Sequence, residues 1–304
     1  MRYVLENQIL KVEIDTHGAE VKSVQRKSDG REYMWQADPE YWGRTSPVLF
    51  PFVGGLRNRE YTYGGKTYRM GQHGFARDME FCCESVDGAP AEGAGEKAQS
   101  SVWFALSSDE NTMENYPFAF CLHIGYELVE NELKVLWRVE NTDDAPMYFS
   151  IGAHPAFLCP IHGESDKTGY GLYFGGLQDE LHYHGNTADG LALMDDQVLA
   201  LADGRAVFAP GFFDACTYMV ENRQTGEVGL FDREGNIYVT VTFDAPMFAI
   251  WSPEGKDAPF VCIEPWYGRC DAADFQGSIA ERAYENALAP EGVFEASYGM
   301  RFAV

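Results

Sequence analysis

Three short stretches carry polar residues in tight, glycine- and proline-marked settings. They are SPVLFPFVGGLRNREYTYGGKTYRMGQHGFARD (46–78), SIGAHPAF (150–157) and CIEPWYGRCD (262–271). The second sets His154 in a small, apolar run and follows it with Pro155. That is the setting of a core histidine, of a strand end, or of an imidazole held at the bottom of a pocket. The third puts Glu264 after Val261 and Ile263 and before Pro265 and Trp266. A carboxylate at the end of a buried strand is costly unless it is paired or functional. Desolvation raises its pKa, and a cation nearby lowers it again. The first stretch holds His73 between Gln72 and Gly74, with Arg77 four positions later and Arg57 upstream. Gly74 permits close approach of a ligand or another strand. Side chains of these types move protons or hold metals. A two-histidine, one-glutamate metal triad remains a minor reading, because no HxH or HExxH spacing joins the residues.

The elements that must position these residues read as strands. LKVEI, SVWFAL, LKVLWRVEN and IYVTVTF alternate apolar and polar residues. Turn clusters such as KSDGRE, YGGKTY, NTDDAP and DREGN fall between strand segments. GYELVENELKVLWRVEN reads as a hairpin turning at Glu130 and Asn131. The glycine-rich stretch 87–101 reads as a mobile hairpin loop. DENTMENYPF is turn-rich and reads as non-helical, whereas SIAERAYENALAP could form a turn or two of helix. Trp251 and Trp266 are expected in core packing. With no linker or repeat, residues 1–304 read as a single, largely antiparallel all-β domain of two packed sheets. Such a sandwich leaves a concave face on which ligands bind.

Bulk properties narrow the partners. Hydrophobic residues make up 45% of the chain, enough for a large core. With 23 Lys and Arg against 47 Asp and Glu, the net charge of −24 repels phosphate backbones and anionic lipid. Neither nucleic acid nor a membrane is an expected partner, and a neutral small molecule suits this field. The seven cysteines have no paired spacing that would suggest a disulfide framework, structural zinc or a redox motif. Glu6 and Asn7 interrupt the N-terminus where a signal peptide needs an apolar stretch, so a cytoplasmic, soluble protein is expected.

The motifs FPFVGGLRNREYTYGGKTYRMGQHGFARDMEF, GAHPAF and IEPWYG, in that order, resemble those of the aldose 1-epimerase (galactose mutarotase-like) superfamily, nearest its LacX-like branch. The chain end LAPEGVFEASYGMRF is similar to the family's last strand. The resemblance implies a β-supersandwich with the active site on a concave sheet face. It implies an isomerase that needs no cofactor or metal and opens and closes the ring of a free hexose. On this resemblance His154 is the general acid on the ring oxygen and Glu264 the general base on the anomeric hydroxyl. His73 contacts the sugar, Arg57 and Arg77 stand where the family places substrate-contacting cations, and Asp214 matches a carboxylate that binds sugar hydroxyls. These roles require a protonated or well-supplied His154 and an ionised Glu264, the latter favoured by a cation or donor nearby. The chain departs from better-characterised galactose mutarotases at GGLRNRE and at AHPAF, so the sugar is left open. Alternatives are a hexose-6-phosphate epimerase, served by the cluster Arg57, Arg59, Lys66, Arg69 and Arg77, and a non-catalytic carbohydrate-binding protein. The expected assembly is a monomer or homodimer.

Overall fold

The computed structural model describes residues 1–87 and 100–304. Of the stretch 87–101 expected as a mobile loop, residues 88–99 lie outside the described residues, and Asp87, Ser100 and Ser101 belong to strands. The strands Cys82–Asp87 and Ser100–Ser107 on either side of it pair antiparallel.

Alternating hydrophobicity becomes alternating burial. Leu10–Asp15, Ser100–Ser107 and Glu132–Asn141 bury every second residue. A nine-stranded antiparallel sheet runs from Arg205–Val207 at one edge, through Val293–Phe302 and Glu132–Asn141, to Cys82–Asp87 at the other. At its centre Phe120–Val129 and Glu132–Asn141 form the expected hairpin, turning at Glu130 and Asn131. A six-stranded sheet contains Tyr218–Val220, Met247–Trp251, Phe260–Tyr267, Ile151–Ala153, Val48–Leu49 and Ala156–Leu158. A four-stranded sheet closes the N-terminal end. The expected all-β supersandwich is the architecture observed.

Phe260–Tyr267 is buried on both faces except at its last residue, which fits a central strand covered on both sides. Val261 and Ile263 enter the main core, together with Phe248 and Ile250 of Met247–Trp251. Phe260, Cys262, Glu264 and Trp266 therefore face the other way. That outer face is where the candidate site forms.

The non-helical reading of DENTMENYPF is corrected, and the turn of helix expected in SIAERAYENALAP is present. DENTMENYPF contains the α-helix Glu110–Asn115, because the Asp109 side chain accepts from the Thr112 N–H while the Asp109 N–H donates to Thr112 Oγ1. SIAERAYENALAP supplies one 3₁₀ turn, Ile279–Glu281, before the chain returns to a strand at Asn286–Leu288. Among the described residues no helix is long and apolar enough to cross a membrane.

Candidate active site

The GAHP and IEPW motifs meet through strand register. Gly152 pairs with Trp266, and beyond the motif Ala156 pairs with Cys262. Counting two residues inward from either pair sets His154 opposite Glu264. Pro155 and Pro265 lack amide donors, so the ladder thins at that level; the Ile263 N–H still donates to the Pro155 carbonyl at 3.3 Å. On the other flank Glu264 pairs with Ala249, whose small side chain leaves the carboxyl room. Gly152 makes space as well: a Cβ there would lie 2.7 Å from Trp266 Cδ1.

His154 Nε2 lies 3.4 Å from Glu264 Oε2. Glu264 is 1% exposed and His154 7%. Among the described residues neither Glu264 oxygen has a hydrogen-bond partner, and neither does His154 Nδ1. Such atoms are costly to bury alone and are satisfied by something that enters. Burial pushes the Glu264 carboxyl well above its usual range. The nearby Trp266 indole N–H opposes that shift, although it falls short of hydrogen-bond geometry. Burial, helped by the Arg77 charge, lowers His154 to about 3. Burial thus disfavours charge on both groups, pushing the carboxyl toward its protonated form and the imidazole toward its neutral form. The proton count is unchanged, since a neutral acid beside a neutral imidazole carries the same single proton as a carboxylate beside an imidazolium.

Aromatic rings fix the imidazole. Trp42 stacks on His154 with centroids 4.7 Å apart, and Trp251 meets it edge-on at 5.4 Å. Trp266 packs, as expected, in a buried apolar cluster with Leu49, Val53 and Met247, and half-buried Trp251 packs against another; both also line the cavity. His73 stands 5.5 Å from His154, ring to ring. Its backbone is left-handed (φ 68°). Its N–H donates to the Gly54 carbonyl, and its Nδ1 accepts from the Gly54 N–H at 3.1 Å. Burial holds His73 well below the usual imidazole value, so the ring proton sits on Nε2 as a donor. Gly74 is needed beside it, because a Cβ would fall 2.3 Å from the Phe50 carbonyl oxygen.

These residues line a cavity of about 780 Å³, within the roughly 300–1,000 Å³ usual for small-molecule sites. Arg57 and Arg77 line it too. The Arg57 N–H donates to Asp271 Oδ2 and its guanidinium to the Phe275 carbonyl, while Arg77 donates to the Gln72 carbonyl. Asp214 does not join them. It lies exposed by a second cavity, beside Phe212, Phe213 and Lys167, and accepts from the Gly255 N–H. Its segment carries no motif that ties it to the His154 strand, so its reading as a sugar ligand is corrected. The cavity also takes in residues the sequence did not single out: Trp42, Arg44, Gln72, Asn186, Asp189 and Glu254. YWGRTSP, with Trp42 and Arg44, and GNTADG, with Asn186 and Asp189, are polar, glycine-marked segments like the three motifs.

The sequence profile of the aldose 1-epimerase family matches residues 1–272. This chain belongs to that family. It is 31% identical to the chromosomal LacX protein of Lactococcus lactis subsp. lactis over 291 residues, 92% of each chain. Among solved structures it is similar to a galactose mutarotase related enzyme from Lactobacillus acidophilus (35% identity, TM-score 0.88, 100% of this chain and 98% of that one). A galactose mutarotase-like protein from Lactobacillus casei aligns over 100% of both chains, with 28% identity and a TM-score of 0.88. Family membership and supersandwich fold thus agree with the motifs from which they were first inferred.

Proposed function

We propose that this aldose 1-epimerase family member is an isomerase that interconverts the α and β anomers of a free hexose. The observation that carries the reading is the juxtaposition of His154 and Glu264, buried, adjacent and unpartnered on the cavity-facing side of one sheet. Anomer exchange requires removal of the O1 proton and protonation of the ring oxygen. The C1–C2 bond then rotates and the ring recloses on the other face. O1 and the ring oxygen share one carbon, so a donor and an acceptor held close together suit them. The pair's single proton is what one such relay consumes and returns. Sugar hydroxyls donating to Glu264 favour the carboxylate and shift that proton toward His154, which gives the acid and base that the resemblance implies. Each positioned group contributes about 10²–10⁴-fold. His73 offers its Nε2 proton to a sugar oxygen, and Arg57 and Arg77 supply further donors. Polarimetry of fresh α-D-glucose and α-D-galactose tests the assignment: His154→Ala and Glu264→Gln should each slow mutarotation by at least about 10²-fold. Wild-type rates in both would overturn it.

A second reading has its own support. Arg57, Arg59 and Arg77 line the cavity, joined by Arg44, whereas Lys66 and Arg69 stand on the exposed hairpin Glu60–Tyr63/Lys66–Arg69. That concentration of cations in an acidic protein favours a hexose 6-phosphate. Glucose 6-phosphate turning over faster than glucose, with Arg59→Ala slowing only the phosphate, would select this reading. Calorimetric binding of either sugar without rate acceleration would instead indicate a non-catalytic binding protein.

A further inference from the structure

Next to the acid–base pair stands a residue that the sugar reaction does not use. Cys262 precedes Glu264 by two positions on Phe260–Tyr267, so both point to the same face. Its thiol is free and fully buried, in an apolar cluster with Trp35, Ala156 and Phe260 against which Trp42 and Trp251 pack. A ligand atom from each of His154, Cys262 and Glu264 lies within 4.8 Å of the other two. His154 Nε2 and Glu264 Oε2 are 3.4 Å apart, and no hydrogen bond joins them.

The 3.4 Å spacing of His154 and Glu264 matches that of two ligands in a coordination shell. Two ligands bound at roughly 2.0–2.1 Å to one tetrahedral zinc lie about 3.4 Å from each other. A thiolate bound at about 2.3 Å lies about 3.6 Å from either of them, and Cys262 stands within 4.8 Å of both. A second group of suitable residue types, His162, Asp232 and Glu234, lacks these features. His162 and Glu234 are exposed there, and both Asp232 oxygens already accept from Glu234, Asn236 or His162.

We infer that His154, Cys262 and Glu264 form a capture site for one thiophilic divalent cation of the zinc class, and that its occupancy silences the acid–base pair. Binding converts the Cys262 thiol to thiolate and the Glu264 carboxylic acid to carboxylate, releasing two protons as three protein–metal bonds form. The metal then holds the nitrogen and oxygen that the sugar would engage. Capture stands on the side-chain geometry alone; only its inhibitory consequence rests on the proposed sugar reaction.

The experiment titrates the full-length protein with Co²⁺, which reports thiolate ligation as a near-ultraviolet charge-transfer band. One equivalent should produce that band together with tetrahedral d–d absorption, and Zn²⁺ should displace both. Cys262→Ala and, as a second variant, Cys262→Ser should lose the charge-transfer band and bind at least about 10–100-fold more weakly. Both should keep wild-type mutarotation in chelator. One equivalent of Zn²⁺ should stop wild-type mutarotation, and EDTA should restore it. Absence of the band in the wild type, or an equal band and affinity in both Cys262 variants, would overturn the capture site. A normal cobalt titration in a protein that turns over no sugar would leave the capture site standing and count against the proposed reaction.

Discussion

Two buried polar constellations lie on either side of the cavity wall, and they are built to opposite specifications. Behind the wall every nitrogen of the Arg282 guanidinium donates a hydrogen bond. Its Nε donates to Asp271 Oδ1 at 2.8 Å and its Nη1 to Glu285 Oε2 at 2.6 Å and Ser150 Oγ at 3.1 Å. Its Nη2 donates to the Arg269 carbonyl at 2.7 Å, and the guanidinium lies over the Phe52 ring. Asp271 passes this order forward by accepting from the Arg57 N–H. One oxygen, Glu285 Oε1, is left over, and burial raises that carboxyl to about 7. In front of the wall His154 and Glu264 are equally buried and have almost nothing to bond. A saturated network fixes the backbone. An unsaturated one stores hydrogen-bonding capacity for a ligand.

The contrast can be broken most forcefully at Arg282. Arg282→Met strands the buried carboxylates of Asp271 and Glu285 and should cost about 3–5 kcal/mol in denaturant unfolding. Glu264→Gln should change stability by less than about 1 kcal/mol while it removes the base, since its parent makes no protein hydrogen bond to lose. Comparable destabilisation by the two substitutions would erase the distinction. The pH dependence sharpens it. An ordinary imidazole titrates near 6.5, but His154 is held down to about 3. The kcat/KM for mutarotation should therefore stay level as the pH falls through 6.5, with the alkaline limb set by loss of the pair's one proton. The folded pKa of His154 is depressed, so its contribution to stability is complete above about 6.5 and is lost as the pH falls toward 3, by at most about 1.4 kcal/mol per pH unit. Unfolding of His154→Asn followed against pH should lack that slope. The smallest effect is expected at Asp214, exposed and outside the cavity. Asp214→Ala should leave KM within about twofold and stability within about 0.5–1 kcal/mol.

The strands that carry the site could be read from sequence because period-two alternation reports one-sided burial, as along Leu10–Asp15. The His154 and Glu264 motifs could be read because a proline beside a polar residue in an apolar run is a rare conjunction. Three things were hidden. Asp109–Thr112 capping turns a turn-like segment into the helix Glu110–Asn115, a side-chain effect that periodicity does not see. Trp251 and Trp266 pack in apolar clusters as core residues do, and only the sheet face they occupy shows that they line the cavity too. The charge state of Glu264 depends on whether a cation reaches it. The arginines of the cavity bear on His154 instead, a matter of three-dimensional distance that the spacing of Arg57 and Arg77 along the chain does not encode.

The pairing of Gly152 with Trp266 and of Ala156 with Cys262 has an evolutionary corollary. Glu264 lies within a strand and His154 in the two-residue break between Ile151–Ala153 and Ala156–Leu158, whereas the rim at Arg44, Arg59, Asn186, Asp189 and Glu254 comes from longer segments between strands. Loops can lengthen, shrink or change charge without altering the distance between the two residues, so descendants of this scaffold are free to alter what they admit while conserving how they handle a proton. A single inserted residue beside either would do the reverse, turning one partner inward to the hydrocarbon interior and ending the chemistry in one step.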